Sequence, residues 1–469
     1  MLDVQGWEDE LSEWLEPFLN ALGHKARRRW APVYVRGLLG RTDRKSVQPI
    51  AAELTPDDYD QLHNFIASRS WDSTPLETIL TAKADALVGG KGAILVIDDV
   101  ALPKKGDCSV GVAPQYAGVL GKQANCQVLV SLTLARDDVP VPLALRLFLP
   151  QDWIKDAERC RHAGVPQGCV RERSKPEIAL DELDRLRTLG VRFDTVVADA
   201  GYGHSAAFRK GLSERHLTWA VGVRCTRSVY STAVELTWPV AKTGRPRKRA
   251  VASEEPVAAA TMLEAASWQR LTWRTGTKGP LTAEFAAMRV RVADGPPQRN
   301  RAPLPGEEVW LVGELRSNGE RRYYLSNLPS DTPLRTLAAR IKARWVCEQG
   351  HQQMKEELGL DHFEGRGWHG LHHHAVLVMI ALAFLQHLRL AHAPEREKKG
   401  RAATADRRLN QRCPPSGGRS SRISAPRRQS DVRAVGAGSS GTGESRTAKV
   451  VLGIEPLGSI PSPGPFDGA

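Results

Sequence analysis

The chain has 469 residues with an ordinary apolar share of 41%, which excludes a fibrous or wholly disordered protein and allows a sizeable core. Its formal net charge of +13 points to a polyanionic partner, but 14 Lys/Arg against 7 Asp/Glu from Pro394 onward give the tail +7 and leave +6 for the body. Seven cysteines with no C-x-x-C pair exclude a disulfide scaffold and a zinc ribbon, and fit a reducing, cytoplasmic setting.

The N-terminus, "MLDVQGWEDELSEW", is acidic and shows no signal-peptide core. Residues 1–85 alternate helical patterns with polar breaks. "WEDELSEWLEPFLNAL" is amphipathic, and "SVQPIAAEL" and "PDDYDQLHNFIASRSW" read as short helices, the second with Pro56-Asp57 at its start. A helical N-terminal module is expected.

From Gly92 the pattern changes. "AILVIDD" is a β-branched apolar run ending in two acids, a buried strand. "CQVLVSLTLA" and "VPLALRLFL" are two further strands joined by the polar turn "RDDVP". In "SKPEIALDELDRLRTLG", Ser174 and Glu177 form a capping-box pair and Gly190 can end the helix. "FDTVVAD" is a fourth strand, ending in Asp199 and "AGYG". Strand, strand, strand, helix, strand predicts an α/β fold with a mixed sheet and a carboxylate at the tip of the first and fourth strands. A helix ("SAAFRKGLSERH") and a strand ("LTWAVGV") complete the segment 86–224.

Residues 225–325 read as a β-rich insertion, with "GRPRKR" (Gly244–Arg249) as a basic loop, solvated or entering a minor groove. From Ser330 the start signal "SDTP" predicts one long helix, and a second covers the His-rich stretch and the apolar run "AVLVMIALAFLQHL". That run is too short to span a bilayer and is expected to be buried, so no membrane partner is expected. Residues 326–393 thus form the second part of the core. The segment 394–469 is Arg-, Ser-, Gly- and Pro-rich without periodicity and reads as a disordered C-terminal tail, or as the out-of-frame end of a GC-rich gene, which translating the neighbouring frame tests.

At roughly 100° per residue, Arg344, Glu348, His351 and Lys355 fall within about 60° of one another, one turn after Ile341. By itself such a stripe is a solvated face of alternating charge. Strand-end carboxylates at Asp98 (or Asp99) and Asp199 change its meaning. Three converging carboxylates can hold two Mg²⁺ about 3.5–4 Å apart, an arrangement that serves displacement at phosphorus. Lys and Arg beside them would hold backbone phosphates.

These blocks resemble a bacterial insertion-sequence transposase of the DDE class, with a ribonuclease-H-like catalytic domain and a β-strand insertion before the Glu. The family's helix signature is Tyr-x2-Arg-x3-Glu-x6-Lys; Arg344, Glu348 and Lys355 match it, and Ile341 stands at the Tyr position. "VIDDVALPKKG…SVGV…QYAGVLGK…NCQV" resembles a first-Asp block, "VVADAGYG" a second-Asp block, and "ELGLDHFEGRGWHGLHHH" continues the match, over roughly residues 20–390. The resemblance implies Asp98, Asp199 and Glu348 as ligands of two Mg²⁺, with Mn²⁺ able to substitute, and Asp99 as the alternative to Asp98. Asp98 is favoured because neighbours on a strand face opposite sides and the family pattern is Asp, a variable residue, then Thr, a Thr that is Val100 here. Arg344 and Lys355 would position phosphates, and Lys104 and Lys105 contact DNA, against an ordinary basic loop as the alternative.

The expected activity is strand cleavage at element ends followed by strand transfer. The expected partners are double-stranded DNA (terminal inverted repeats and target) and a second copy in a synaptic homodimer, held by the N-terminal module and the insertion, at the bacterial nucleoid when bound. A catalytically impaired DNA-binding repressor is the alternative, motivated by Ile341, Val100 and the tail; a structure-specific nuclease is a third. His369, His372 and His373 are expected to pack or contact DNA rather than bind metal, and Trp345 and Trp368 to pack rather than stack on a base.

Overall fold

The structure is a computed structural model that describes residues 6–68, 70–238, 250–276, 279–296 and 302–392. The basic loop "GRPRKR" and the 394–469 tail expected from the sequence lie outside these residues.

The apolar run after Gly92 forms β1 (Ile94–Pro103). Strands β2 (Ala113–Ala117), β3 (Lys122–Arg136) and β4 (Val139–Leu147) follow it. The "RDDVP" turn joins β3 to β4, and Asp137 adopts a positive φ of 58° there, a conformation that Asp tolerates better than most residues. β3 lies antiparallel to β1 and β4 antiparallel to β3. Helices α6 (Gln151–Ile154), α7 (Ala157–His162) and α8 (Lys175–Thr188) lead back to β5 (Thr195–Ala198), which pairs with β1 in parallel. The Ser174/Glu177 capping box is formed at the start of α8. Next come α9 (Ala200–Gly203), α10 (Ala206–Glu214) and β6 (Trp219–Val223), parallel to β5. The order β4-β3-β1-β5-β6, with β3 alone antiparallel to the other four, is the ribonuclease-H-like core.

The β-rich insertion does not stand apart from this sheet. Its strands β7 (Ser228–Tyr230), β10 (Val257–Ala258), β11 (Gln269–Gly276), β12 (Gly279–Val292), β13 (Glu308–Leu315) and β14 (Arg321–Ser326) extend it edge to edge. The join is β14 antiparallel to β6, which gives, among the described residues, a continuous sheet of 12 strands. The short α11 (Ala259–Met262) and the separate ribbon of β8 (Leu236–Thr237) and β9 (Val251–Ala252) complete the insertion.

The N-terminal residues form α1 (Gly6–Leu22), α2 (Lys25–Leu39), α3 (Val47–Leu54), α4 (Tyr59–Ala67) and α5 (Thr74–Val88). They are not a free module. Leu11, Phe18, Tyr34 and Leu80 share one buried cluster with Leu132 and Leu145 of the sheet and with Phe384 of α14 (Trp368–Ala391). By length and apolarity α14 resembles a membrane span, yet 72% of its most apolar window is buried, as the sequence led us to expect of a core helix.

One helix expected from Ser330 is two. α12 (Leu334–Lys342) and α13 (Trp345–Glu356) are separated at Ala343–Arg344, where Val346 and Cys347 N–H groups bond three residues back, to Ala343 and Arg344 carbonyls. The physical cause is a change of partner. Ile341 and Leu337 pack on insertion residues Phe285 and Val312, whereas Val346 and Cys347 pack on Ile94, Val96 and Val197 of the core sheet. The break falls where the packing partner changes from the insertion strands to the core strands. Ile341 therefore does not extend the Arg344–Lys355 stripe, and its side chain, 3% exposed, is committed to the insertion.

Candidate active site

β1 and β5 run in parallel with Ile97 opposite Ala198, so the next residue of each, Asp98 and Asp199, emerge side by side at the same end of the sheet. Asp98 is buried at 8% exposure, with its Oδ1 accepting the Asp99 N–H at 2.9 Å. Asp199 caps α9 and accepts the Tyr202 N–H at 3.2 Å. α13 lies over this edge. Arg344, immediately before it, donates to Asp98 Oδ2 at 2.5 Å and also to the Glu348 carboxylate one turn on. Asp98 and Glu348 thus share one guanidinium, and Asp199 lies within its electrostatic reach.

The electrostatics follow. Burial, then the carboxylates of Asp199 and Glu348, push the Asp98 carboxyl up to about 7 against the pull of Arg344. Burial also raises Asp199, opposed by Arg344. Two desolvated, mutually repelling carboxylates beside an exposed third form an oxygen-donor set with an excess of negative charge. That set suits hard divalent cations in its donor type.

Asp98 and Asp99 separate as adjacent strand residues must. Asp99 faces the other way, accepting from Tyr202 Oη at 2.6 Å and pairing with Lys175 Nζ at 2.6 Å. Sequence reasoning missed these two partners. The available signal was local: Tyr202 lies three residues after the capping Asp199, and Lys175 is the first residue of the capped helix α8.

Lys355 is half-buried, its ammonium pKa lowered by burial and partly restored by Asp361, Cys126 and Asp98, which puts it within electrostatic reach of the site. Lys105 is exposed. Lys104, expected on DNA, donates to the Phe363 carbonyl at 2.6 Å and ties the loop after β1 to the segment after α13. His351, part of the predicted stripe, is buried against Ser131 Oγ at 2.8 Å. His373 and His374 are core residues bonded to the carbonyls of Ile66 and Gly359. His372 bonds the Trp368 carbonyl within its own helix and packs tilted against the Trp368 ring, with centroids 4.3 Å apart. The Trp345 ring is covered by the Arg274 guanidinium at 4.1 Å, at the α12–α13 junction.

Carboxylates on the ends of adjacent parallel strands, with a third on a helix laid across them, make a candidate DDE-type site on a ribonuclease-H-like sheet. The family model of the DDE superfamily endonuclease matches residues 17–280, 264 of 469 residues, and the chain belongs to that family. The matched segment contains Asp98 and Asp199 and ends before Glu348. A curated relative, the probable transposase for insertion sequence element IS701 of Microchaete diplosiphon, is 29% identical over 194 residues, covering 41% of this chain and 48% of that protein. The chain therefore spans about half the length of this relative. Among solved structures, a piggyBac transposase synaptic complex with hairpin DNA is similar with a TM-score of 0.40 at 11% identity, over 81% of this chain and 72% of that one.

Proposed function

We propose that this protein is a DNA transposase that nicks the ends of its element and joins the freed strands to target DNA. The observation that carries this reading is the convergence of Asp98, Asp199 and Glu348 around Arg344. In this reading the three carboxylates hold two Mg²⁺, or Mn²⁺ in their place, and the ions supply activation of the attacking hydroxyl and charge neutralisation at phosphorus. Arg344 and Lys355 orient phosphate oxygens beside the scissile bond, Arg344 by exchanging its carboxylate contacts for phosphate ones. In the first step a water oxygen bonds to phosphorus and the P–O3′ bond breaks, leaving a 5′-phosphate and a 3′-hydroxyl. In the second, that 3′-oxygen bonds to a target phosphorus and displaces the target's own 3′-oxygen. No covalent protein–DNA bond is needed. Exposed Lys25, Arg28 and Arg29 at the start of α2 offer a basic surface for the DNA backbone, and a second copy completes a synaptic homodimer in which two ends are held together.

The test is a nicking assay with full-length protein, Mg²⁺ or Mn²⁺, and a plasmid carrying the chain's own gene with its native flanks. Wild type should nick at the element boundaries and Glu348→Gln should not. Full-affinity binding of the ends with no nicking by wild type would replace this reading with that of a DNA-binding repressor. Cleavage without regard to the element boundaries would replace it with a structure-specific nuclease.

A further inference from the structure

Behind the carboxylate edge, between β1, β3 and α13, lies a second group of donors that the reaction above does not use. Cys347 and His351 are one helical turn apart on α13 and share its sheet-facing side. Cys347 Sγ lies 3.3 Å from His351 Nε2, and His351 Nε2 lies 2.8 Å from Ser131 Oγ. Ser131 is the register partner of Asp98 across β1 and β3, which brings the Asp98 carboxylate to the same point. One donor atom from each of Asp98, Cys347 and His351 lies within 4.8 Å of the others, and all three residues are buried.

We propose that Asp98, Cys347 and His351 form a binding site for a thiophilic divalent cation, Zn²⁺ or its analogues Co²⁺ and Cd²⁺, that competes with the Mg²⁺ chemistry for Asp98. Tetrahedral zinc with bonds of about 2.0–2.3 Å needs donor–donor edges of roughly 3.3–3.8 Å. The Cys347–His351 pair already meets that spacing, and Asp98 reaches it by a side-chain rotation away from Arg344. A thiolate and an imidazole select zinc over magnesium, whose preference is for oxygen alone. On binding, the Cys347 S–H bond breaks, its proton leaves to solvent, and the sulfur lone pair bonds the metal. His351 donates its Nε2 lone pair as the neutral ring. Ser131 Oγ or a water takes the fourth position. With Asp98 turned to this ion, the three-carboxylate set is incomplete, so the site acts as an inhibitory one. Only this inhibitory consequence rests on the transposase reading.

The experiment titrates Co²⁺ into full-length protein without DNA or Mg²⁺ and follows thiolate-to-cobalt absorption in the near ultraviolet. One equivalent should give the band, Zn²⁺ should bleach it, and Cys347→Ser should lack it. Cys108, Cys169 and Cys225 are exposed and the full chain has three further cysteines besides Cys347, so a band that survives in Cys347→Ser belongs to another thiol and overturns the proposal. Asp98→Asn keeps the sulfur and should retain the band with affinity weakened by at least the roughly tenfold that loss of even an outer-sphere partner costs. Unchanged affinity there also overturns it, and this arm stands if Cys347→Ser fails to fold. In the nicking assay, Zn²⁺ at fixed Mg²⁺ should slow wild type relative to its own zinc-free rate and spare Cys347→Ser. A cobalt band with no nicking by any protein leaves the metal site standing and removes the transposase reading. Nicking without the band does the reverse.

Discussion

Asp98 and Asp99 are consecutive residues of one strand, and the structure gives them opposite surroundings. Asp98 faces two other carboxylates and one guanidinium, is buried, and is driven toward its neutral form. Asp99 faces a phenol and an ammonium, each at 2.6 Å, and its charge is matched. A carboxylate whose partners are already complementary serves the framework. One that is desolvated and crowded by other carboxylates keeps a capacity for a cation. The period-two alternation of a strand is enough to create this division of labour, and no other feature of β1 distinguishes the two residues.

The sharpest way to break the comparison is to neutralise each in turn. Asp98→Asn should abolish nicking, a larger loss than any change on the Asp99 side, while leaving the fold intact or firmer, because a buried charge in a repulsive setting is removed. Asp99→Asn should lower nicking by roughly 10–100-fold, the range for groups that orient metal ligands without touching the metal. Thermal unfolding should show it destabilised as well, since Lys175 loses its partner. Reversal of the two effects would make Asp99 the ligand and Asp98 the strut.

How far was this visible in the sequence? The strands, the capping box of α8 and the carboxylates at strand tips were legible because they depend on local pattern. The pairing of Asp98 with Asp199 followed once both strands were known to be parallel neighbours. Other features depend on partners far along the chain and left no local trace. Lys104 reads as a basic loop residue, yet a carbonyl 259 residues away binds it. Ile341 continues the helical stripe by period, but the axis turns at Ala343–Arg344 because the insertion and the core sheet present different surfaces. The insertion was legible as strands, though not as a continuation of the core sheet, since register with β6 is a tertiary property.

A smaller effect separates the two aspartates by pH. The folded Asp98 carboxyl sits near 7, against an ordinary 3.8. Its raised value means that the folded state binds the proton more tightly than the unfolded one. The protonated form is the favoured one in the fold, so this contribution is fully present below about pH 4 and is lost as pH climbs through 7. In metal-free protein, the stability of Asp98→Asn relative to wild type should therefore rise between pH 4 and 7 by at least about 1 kcal/mol and level off above. Denaturant unfolding at four or five pH values measures it. A flat difference would mean that Arg344 already neutralises Asp98, and the contrast with Asp99 would narrow to geometry alone.

The finest test concerns what Asp99 contributes: its charge or its hydrogen bond. Tyr202→Phe removes only the phenolic hydroxyl. The ring should stay packed on Phe208, 5.6 Å away, and the backbone N–H of residue 202 should stay capped by Asp199. Asp99 keeps Lys175, and its side chain is 33% exposed, so water can take the vacated acceptor position. The expected cost is therefore about 1 kcal/mol or less in unfolding free energy. The loss of nicking should be well short of that in Asp99→Asn. If Tyr202→Phe instead matched Asp99→Asn in rate, the hydroxyl would be the operative group. Asp99 would then act by holding α9, and through it Asp199, in place, and the strut would belong to the second aspartate's helix rather than to the first aspartate's strand.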